Sequence, residues 1–533
     1  MQRGFRTDFC LACTVLVVWL AVATSAGARV FLIGLDGASW NVIDPMLERG
    51  ELPTLAAWVT RGRTAELETV EPVSSPVVWT SIATGRRPEA HGITDFYGTR
   101  LRMQVPSAFE RLARRGIRVG LYDYLVTWPP VELPGGFVIP GWLRRDPSVS
   151  PADVWARAGV DPFVVDYDVL KTDAQYLDMS RQELAHKASR WKALVRSFDP
   201  QVGVVTFYTP DMRSHRFWRA AFPEEFDAGG PPPPEELRTA ISDGYRGVDR
   251  ALGQIHETLR EDDVLLVASD HGFHAGEEVR PVWVTSLAPA LAGAGLDPGR
   301  DRFSLISEFF APSLRVHPGP DFAERDAVAE RLVALLKSCR TEVGQPLFAV
   351  YRVDVAERPP GMERSLLERI YQWGIRQALW YVFSTRLDPD AHAVVFGMPE
   401  GDTLEALWPD GKVRVGERTV PLSDLVARQE FSGTHDPIGV FLASGGPIAA
   451  SAERGRISVL DVAPLLFYLA GQPIPDDLEG ELPRDWIHPE VLAARPPETI
   501  AASEIPGFVV DGAPAAGVDP DLTEKLRALG YVE

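Results

Sequence analysis

Four short, almost continuous apolar runs constrain the fold of this chain more than any other feature. They read VFLIGL at 30–35, VGVVTFY at 202–208, VLLVAS at 264–269 and GVFLAS at 439–444. Runs of this length without polar alternation are typical of strands that are covered on both faces. Segments with helical periodicity lie between them, at 179–196, 234–260 and 322–337. The pattern predicts an α/β fold with a doubly wound, mainly parallel central sheet.

Composition narrows the class of protein and of partner. The chain has 533 residues, 45% apolar and 24% charged, which excludes a disordered or collagen-like protein. Its 54 basic and 74 acidic residues give a net charge of −20. A field of this sign repels polyanions, so we expect no nucleic acid as a stable partner. The expected substrate is a small molecule.

The amino terminus resembles a secretory leader. Arg3 and Arg6 precede an apolar run at 9–23, and Ala-Gly-Ala follows at 26–28. This order of basic, apolar and small residues predicts a signal peptide within residues 1–28, with an uncleaved membrane anchor as the alternative. Either reading predicts an extracytoplasmic body, periplasmic or secreted, whose membrane contact is confined to the N-terminal segment if that segment is uncleaved.

The remaining chain is interpreted as one domain at 29–490, followed by a tail at 491–533. Within it, segments at roughly 95–190 and 301–430 interrupt the strand and helix pattern and are predicted to be insertions. We read the second segment as an elaboration of the same domain, because strand-like and then helix-like sequence resumes after it.

Acidic residues follow three of the apolar runs. Asp36 and Asp270 stand at the ends of their runs, and Asp211 lies just past another. Because the carboxyl ends of strands in open α/β sheets border the binding crevice, we expect these carboxylates to lie together. Three unpaired anions repel each other, so a cation is required.

Histidines accompany these carboxylates. They are His215, four residues after Asp211, His271, directly after Asp270, and His435, just before the last run. Taken singly, each Asp could be a helix cap and each His a surface or core residue. Together the six groups supply the oxygen and nitrogen ligands of zinc and similar ions, which predicts a hydrolytic site with two divalent metals.

A nucleophile is available at Ser75, in the segment SSPVVWTSIATG. Pro76 is a favoured first helical residue, so the Ser75 hydroxyl should lie at a helix N-terminus, where backbone N–H groups favour an anion. The alternative is that Ser75 only caps this helix.

The ordered motifs GLDG, SPVVWTSIATGRRPEAHGI, TPDMRSH, SDHG and SGTH resemble the alkaline phosphatase superfamily, and within it the type I phosphodiesterase/nucleotide pyrophosphatase branch. The resemblance runs from Val30 to about residue 480. It implies an alkaline-phosphatase-like fold and two zinc ions, with Ser75 as nucleophile and metal ligand. By this resemblance one zinc is bound by Asp36, Ser75, Asp270 and His271, and the other by Asp211, His215 and His435.

Two departures from related patterns refine the expected substrate. Nucleotide-cleaving members carry an Asn shortly after the His-Gly-Ile step, whereas this chain reads His91-Gly92-Ile93-Thr94-Asp95. A sulfatase would need Arg at Val78, so that chemistry is disfavoured. Asp95 and Arg213 remain the candidate substrate-binding residues.

The resemblance and the residues together predict a metal-dependent phosphodiesterase that acts through a phosphoseryl intermediate on Ser75. The alternative within enzymes is a phosphomonoesterase or phosphoryl transferase with the same metals. From another class, the rival is a metal-bound surface protein without turnover, which the joint presence of ligands and nucleophile disfavours.

Overall fold

The computed structural model describes residues 28–505, except 96–97, 145, 164–172, 227–231, 280–281, 285–286, 288–290, 292–293, 298, 309–310, 317–321, 355–392, 400–410, 417, 423–424 and 429–430. The leader at 1–27 and the end of the tail at 506–533 therefore lie outside the described residues. Within the described ranges, no helix has the length and apolar character needed to cross a membrane.

The strands are β1 Val30–Leu35, β2 Gly62–Glu68, β3 Val119–Tyr124, β4 Phe137–Pro140, β5 Val202–Phe207, β6 Val264–Ala268, β7 Gly272–Val279, β8 Val282–Val284, β9 Phe303–Glu308, β10 Ala311–Val316, β11 Cys339–Thr341, β12 Phe348–Asp354, β13 Ala393–Pro399, β14 Lys412–Val415, β15 Arg418–Pro421, β16 Val426–Arg428, β17 Phe431–Asp436, β18 Ile438–Ser444, β19 Gly455–Ser458, β20 Ile474–Pro475 and β21 Thr499–Ile500.

The α-helices are α1 Trp40–Glu48, α2 Pro53–Arg61, α3 Ser75–Thr84, α4 Pro88–His91, α5 Ala108–Arg114, α6 Val154–Ala158, α7 Asp173–Phe198, α8 Thr209–Ala221, α9 Glu235–Arg238, α10 Ala240–His256, α11 Phe322–Ser338, α12 Val462–Leu469 and α13 Pro489–Ala494. Short 3₁₀ turns span Arg100–Arg102, Pro223–Glu225, Val459–Asp461, Arg484–Trp486 and Ala502–Glu504.

Eight strands form the central sheet, in the order β19-β2-β18-β6-β1-β5-β3-β4. β1 pairs in parallel with β5 and with β6, and β3 pairs in parallel with β4 and β5. Every residue of β1, β3, β5 and β6 is buried, as expected for strands covered on both faces. The predicted α/β class with a mainly parallel sheet is confirmed.

The last apolar run differs from the other three in direction. β18 is antiparallel to both of its neighbours, β2 and β6. Its first residue therefore lies at the edge where the parallel strands end. This reversal carries His435, which precedes β18, to the same edge as the residues that follow β1, β5 and β6.

Helices cover the sheet on both faces. Phe31 and Gly34 of β1 point to opposite faces because they are an odd number of residues apart. The Phe31 ring contacts Trp191 of α7 edge to face at 6.2 Å, whereas the Trp79 ring of α3 lies over Gly34. The chain is therefore wound on both sides of the sheet, with α7 and α3 on opposite faces.

The domain boundaries need two adjustments. β3 and β4 lie within the segment 95–190 that was expected to be an insertion, yet they form one edge of the central sheet. The tail, expected from residue 491, folds against the domain as far as Ile505, since β21 pairs with β20 and Ile505 is buried.

A second hydrophobic core lies within the predicted insertion at 301–430 and just before it. There β9, β10, β12 and β13 form a four-stranded antiparallel sheet, and β11, β14 and β15 form a smaller one. Leu332 and Leu336 of α11 are fully buried in this core, which is separate from the main one. The site described next draws on the main unit and on β17, which follows the insertion.

Candidate active site

The first candidate ligand lies at the end of β1. Asp36 is fully buried, and its backbone N–H donates to Phe207 O at the end of β5. Gly37 then turns the chain with φ +63°, and a Cβ atom there would lie 2.8 Å from the Asp211 Cα. Only glycine permits both this turn and this approach, which brings Asp211 against Asp36.

Asp211 and His215 come from α8, which begins just after β5. They are one helical turn apart and therefore share a face, with Asp211 Oδ1 at 3.4 Å from His215 Nε2. The Asp211 N–H donates to Asp36 O at 2.9 Å. The strand end and the helix start thus place two candidate ligands beside the first.

The remaining ligands come from β6 and from a neighbouring ribbon. Asp270 and His271 follow β6 and are both fully buried. His435 lies on β17, which pairs with β7 so that His435 is opposite Phe273. The rings of His435 and His271 stack, with centroids 3.6 Å apart.

These side chains form two groups that could each hold an ion. One consists of Asp36, Asp270 and His271, and the other of Asp211, His215 and His435. Within each group the ligand atoms lie within 4.8 Å of one another. The division is the one that the family resemblance implies for the two metals.

The histidine tautomers fit metal binding. In all three histidines Nδ1 lies 2.9–3.2 Å from a backbone carbonyl oxygen: His215 faces Gly433 O, His271 faces Gly272 O and His435 faces Val73 O. Because a carbonyl oxygen can only accept a hydrogen bond, Nδ1 carries the proton in each ring. In the neutral rings Nε2 is then an unprotonated lone pair. The Nε2 atoms of His215 and His435 nevertheless lie 3.0 Å apart, an arrangement that a shared cation would stabilise.

The carboxylates show the same need for a cation. Asp270 Oδ2 is buried and accepts no hydrogen bond from any described residue; His271 Nε2 lies 3.4 Å from it. Burial, reinforced by the negative charge of Asp211, raises the pKa of Asp270 to about 7. Burial and the charges of Asp270 and Asp211 also raise the pKa of Asp36 well above its ordinary value. The fully deprotonated cluster is therefore unfavourable without a compensating charge.

The imidazoles oppose this effect at the third carboxylate. Burial raises the pKa of Asp211, but the nearby imidazoles of His215, His435 and His271 outweigh burial and hold that pKa below its ordinary range. Burial, with the neighbouring His435, lowers the pKa of His271 well below its usual value. A neutral His271 is the form that can bind a metal.

Ser75 is the first residue of α3 and is 1% exposed. Its hydroxyl donates to Asp36 Oδ1 at 3.3 Å and lies 3.4 Å from His271 Nε2. The N-cap position is Ser74, and no side chain caps this helix. The capping alternative therefore does not describe Ser75, whose hydroxyl faces the first group of candidate ligands.

The two weaker substrate-binding candidates are not brought into the cluster. Arg213 lies on the face of α8 opposite Asp211 and His215, where its guanidinium donates to Ser180 Oγ and Ala240 O. Asp95 forms a bidentate ion pair with Arg102. Arg213 is therefore engaged with α7 and α10, and Asp95 is engaged with Arg102.

Sequence reasoning missed two aromatic residues at this site. Trp79, one turn after Ser75 in α3, donates from Nε1 to Asp36 Oδ2 at 2.8 Å. Phe273 packs its ring against His215, His271 and His435, with centroids at 4.8, 5.6 and 5.4 Å. Their positions next to the motif residues were the available signal, but an aromatic side chain in such a place is equally consistent with ordinary core packing.

Comparison with known proteins identifies the family of this chain. The profile of the type I phosphodiesterase/nucleotide pyrophosphatase family matches residues 30–382, more than half of the chain. No curated protein gave a match. Two solved structures of murine ectonucleotide pyrophosphatase/phosphodiesterase 5 are similar, one of them an inactive form in complex with AMP. Both are 15% identical, with TM-scores of 0.40 and 0.39, and each comparison covers 86% of this chain and 100% of the other. The chain belongs to the type I phosphodiesterase/nucleotide pyrophosphatase family of hydrolases.

Proposed function

We propose that this phosphodiesterase binds two divalent metal ions, zinc being the best match to the ligands, and uses Ser75 as its nucleophile. One observation carries the proposal: a buried serine at a helix N-terminus faces two adjacent groups of three carboxylate and imidazole ligands. Nitrogen and oxygen donors in such small sets suit zinc, with positions left open for substrate.

The division of labour follows from the two groups. Asp36, Asp270 and His271, with Ser75, would hold one ion, and Asp211, His215 and His435 the other. When bound, the ions supply Lewis-acid stabilisation of the charge that develops on oxygen during displacement at phosphorus. The N-terminus of α3 adds backbone N–H groups at the same point.

The reaction then proceeds in two displacements. Ser75 Oγ forms a bond to phosphorus, its proton passes to solvent, and the bond from phosphorus to one ester oxygen breaks. The departing alcohol takes up a proton. Water attacks the seryl diester in the second step, which releases a phosphomonoester and restores the Ser75 hydroxyl.

Charge near the site favours a diester over a monoester. A dianionic monoester is commonly bound with an additional fixed cation. Arg86 and Arg87 lie beyond the far end of α3, roughly 16 Å from Ser75 by helical rise, and form ion pairs with Asp477 and Glu479. Both guanidinium groups are therefore engaged by acidic residues at the far end of α3.

The alternative within the same chemistry is a phosphomonoesterase or phosphoryl transferase, because the metal ligands do not define the second substituent on phosphorus. Paired nitrophenyl substrates, one monoester and one diester, separate these functions. We expect a higher kcat/KM for the diester. A monoester preference of about tenfold, or about 1.4 kcal/mol in the barrier difference, would overturn the assignment.

We also propose that the protein acts outside the cytoplasm. The order of basic, apolar and small residues at 3–28 supports export. The same residues are compatible with a cleaved leader and with an uncleaved anchor. Sequencing of the amino terminus of the exported protein tests it: a terminus at or near Arg29 indicates cleavage, and an intact Met1 in washed membranes indicates an anchor.

A further inference from the structure

A second polar cluster lies beside the proposed metal centre and has no part in its chemistry. Its members are Asp123 at the end of β3 and Glu183 and Lys187 on α7. The side chain of Lys187 is only 1% exposed and that of Glu183 is fully buried. Lys187 Nζ lies 2.6 Å from both Asp123 Oδ2 and Glu183 Oε1. A fully buried lysine with two carboxylates requires a structural or functional reason.

The contacts of this cluster converge on the segment between β5 and α8. Lys187 Nζ donates to Thr206 O at 2.7 Å. Glu183 accepts from the Tyr208 N–H at 2.8 Å and from Thr209 Oγ1 at 2.5 Å. The cluster therefore binds the end of β5 and the start of α8, the helix that carries Asp211 and His215.

Helix geometry connects this cluster to the metal ligands. Thr209 and Arg213 lie about 200° around α8 from Asp211 and His215, because two residues advance a helix by that angle. Arg213 Nε donates to Ser180 Oγ of α7 at 2.9 Å. One face of α8 is thus tied to α7 by Glu183 and Ser180, and the opposite face presents the two ligands.

We propose that the Glu183–Lys187 pair positions α8 and thereby the metal site formed by Asp211, His215 and His435. Neither residue touches substrate or metal in this account, so both are positioning residues. Lys187 neutralises the buried Glu183 carboxylate while that carboxylate satisfies the Tyr208 N–H and the Thr209 hydroxyl. The charge of the lysine is maintained, because the carboxylates of Asp123 and Glu183 outweigh burial and raise its pKa.

The proposal rests on the two-metal function and predicts a selective defect. Glu183→Gln replaces the carboxylate with an amide of similar size. It removes the charge that pairs with Lys187 and one strong hydrogen-bond acceptor at the start of α8. We expect the affinity of the Asp211 group for Zn²⁺ to fall tenfold or more. The Asp36 group follows β1 and β6 and meets the anchored segment through backbone hydrogen bonds of Asp36 to Phe207 and Asp211, so its affinity should change much less.

The experiment is a Zn²⁺ titration of the full chain against a competing chelator, which resolves the two sites. Arg29→Met is the matched control, because Arg29, just before β1, forms a buried ion pair with Asp263, just before β6. This pair lies roughly 20 Å along β1 from Asp36. This control should lower the melting temperature and leave both zinc affinities unchanged. If Glu183→Gln fails to fold, Thr209→Val removes a single hydrogen bond and should weaken the same site more mildly.

The site that weakens can be assigned in an Asp270→Asn background, where the Asp211 group is the one left complete. Adding Glu183→Gln there should reduce the remaining tight binding. Wild-type affinity at both sites in Glu183→Gln, or an equal loss at both sites that Arg29→Met reproduces, would overturn the positioning role. A wild-type protein that binds fewer than two zinc ions would instead overturn the proposed function, and the inference with it.

Discussion

The hydroxyl of Ser75 is the single group on which the proposed chemistry depends. Ser75→Ala should lower kcat for diester hydrolysis by at least about a thousandfold while zinc content stays near that of the wild type, since three other ligands remain in its group. Steady-state kinetics with metal analysis checks this. Ser74→Ala is the matched control, because the Ser74 hydroxyl is also buried and makes no hydrogen bond to a described residue. A nearly active Ser75→Ala would mean that water attacks phosphorus directly.

The raised pKa of Asp270 gives metal binding a defined pH dependence. Its value of about 7 in the folded protein lies above the ordinary carboxyl pKa of about 4, so below pH 7 an ion must displace a proton. We expect Zn²⁺ affinity to rise from pH 5 towards pH 7, by about tenfold per pH unit for each proton that the ion displaces. Calorimetry in buffers of different ionisation enthalpy should detect the released proton.

The same shift acts on the metal-free protein in the opposite sense. A carboxyl whose folded pKa is raised stabilises the fold most below its unfolded pKa of about 4, and this contribution is lost as pH rises towards 7. Asp270→Asn should reduce both effects. A zinc affinity that does not change with pH in the wild type would contradict the assigned role of Asp270.

At the scale of elements, the short helix α4 ends in a buried histidine, His91, that bonds back to α3. His91 accepts from the Ile93 N–H at Nδ1, so its Nε2 donates to Ser81 Oγ at 2.9 Å. Burial lowers the pKa of His91 to about 4. Because the unfolded histidine binds a proton near pH 6.5, this neutral pair stabilises the fold above that pH and loses its effect as pH falls towards 4.

Removal of this histidine should therefore flatten the acid side of the stability profile. We expect His91→Gln to lower stability at pH 7 by about 1–2 kcal/mol and to reduce the loss between pH 6.5 and 4. Denaturant unfolding at several pH values measures this. His186→Gln, on an exposed turn of α7, is the control and should keep the wild-type profile. An unchanged slope in His91→Gln would show that other groups cause the acid sensitivity.

The elements also show how far the sequence could predict the site. Asp36 and Asp270 were recognisable because each ends an apolar run, and a run of that kind identifies a buried strand. The direction of β18 could not be predicted, because an apolar run has the same composition whether its strand is parallel or antiparallel to its neighbours. The rotation of α8 separated Arg213 from Asp211, although the two are only two residues apart in the chain.

Other features depend on contacts between distant segments. The hydrogen bonds from Trp79 to Asp36 and from Lys187 to Thr206 O form only once the helices pack on the sheet. β3 and β4 extend the sheet from within a segment whose motifs gave no indication of it. The class of fold was therefore predictable, whereas the polar contacts that orient the ligands were not.

For the whole molecule, bound metal should contribute to stability as well as to catalysis. The buried carboxylates repel one another, and ions that bind only the folded state stabilise it by mass action. Exhaustive chelation should abolish diester hydrolysis and lower the melting temperature by several degrees, and adding zinc should restore both. Unchanged melting and full activity in metal-free protein would rule out the two-metal account.

The intermediate on Ser75 tests the central claim most directly. Acid quenching during turnover of a diester, followed by peptide mass spectrometry, should show Ser75 carrying phosphorus together with the substituent that has not left. A monoester phosphoryl transferase would leave phosphate alone on this serine. No adduct during rapid turnover, in a protein that contains both metals, would contradict the claim that Ser75 is the nucleophile.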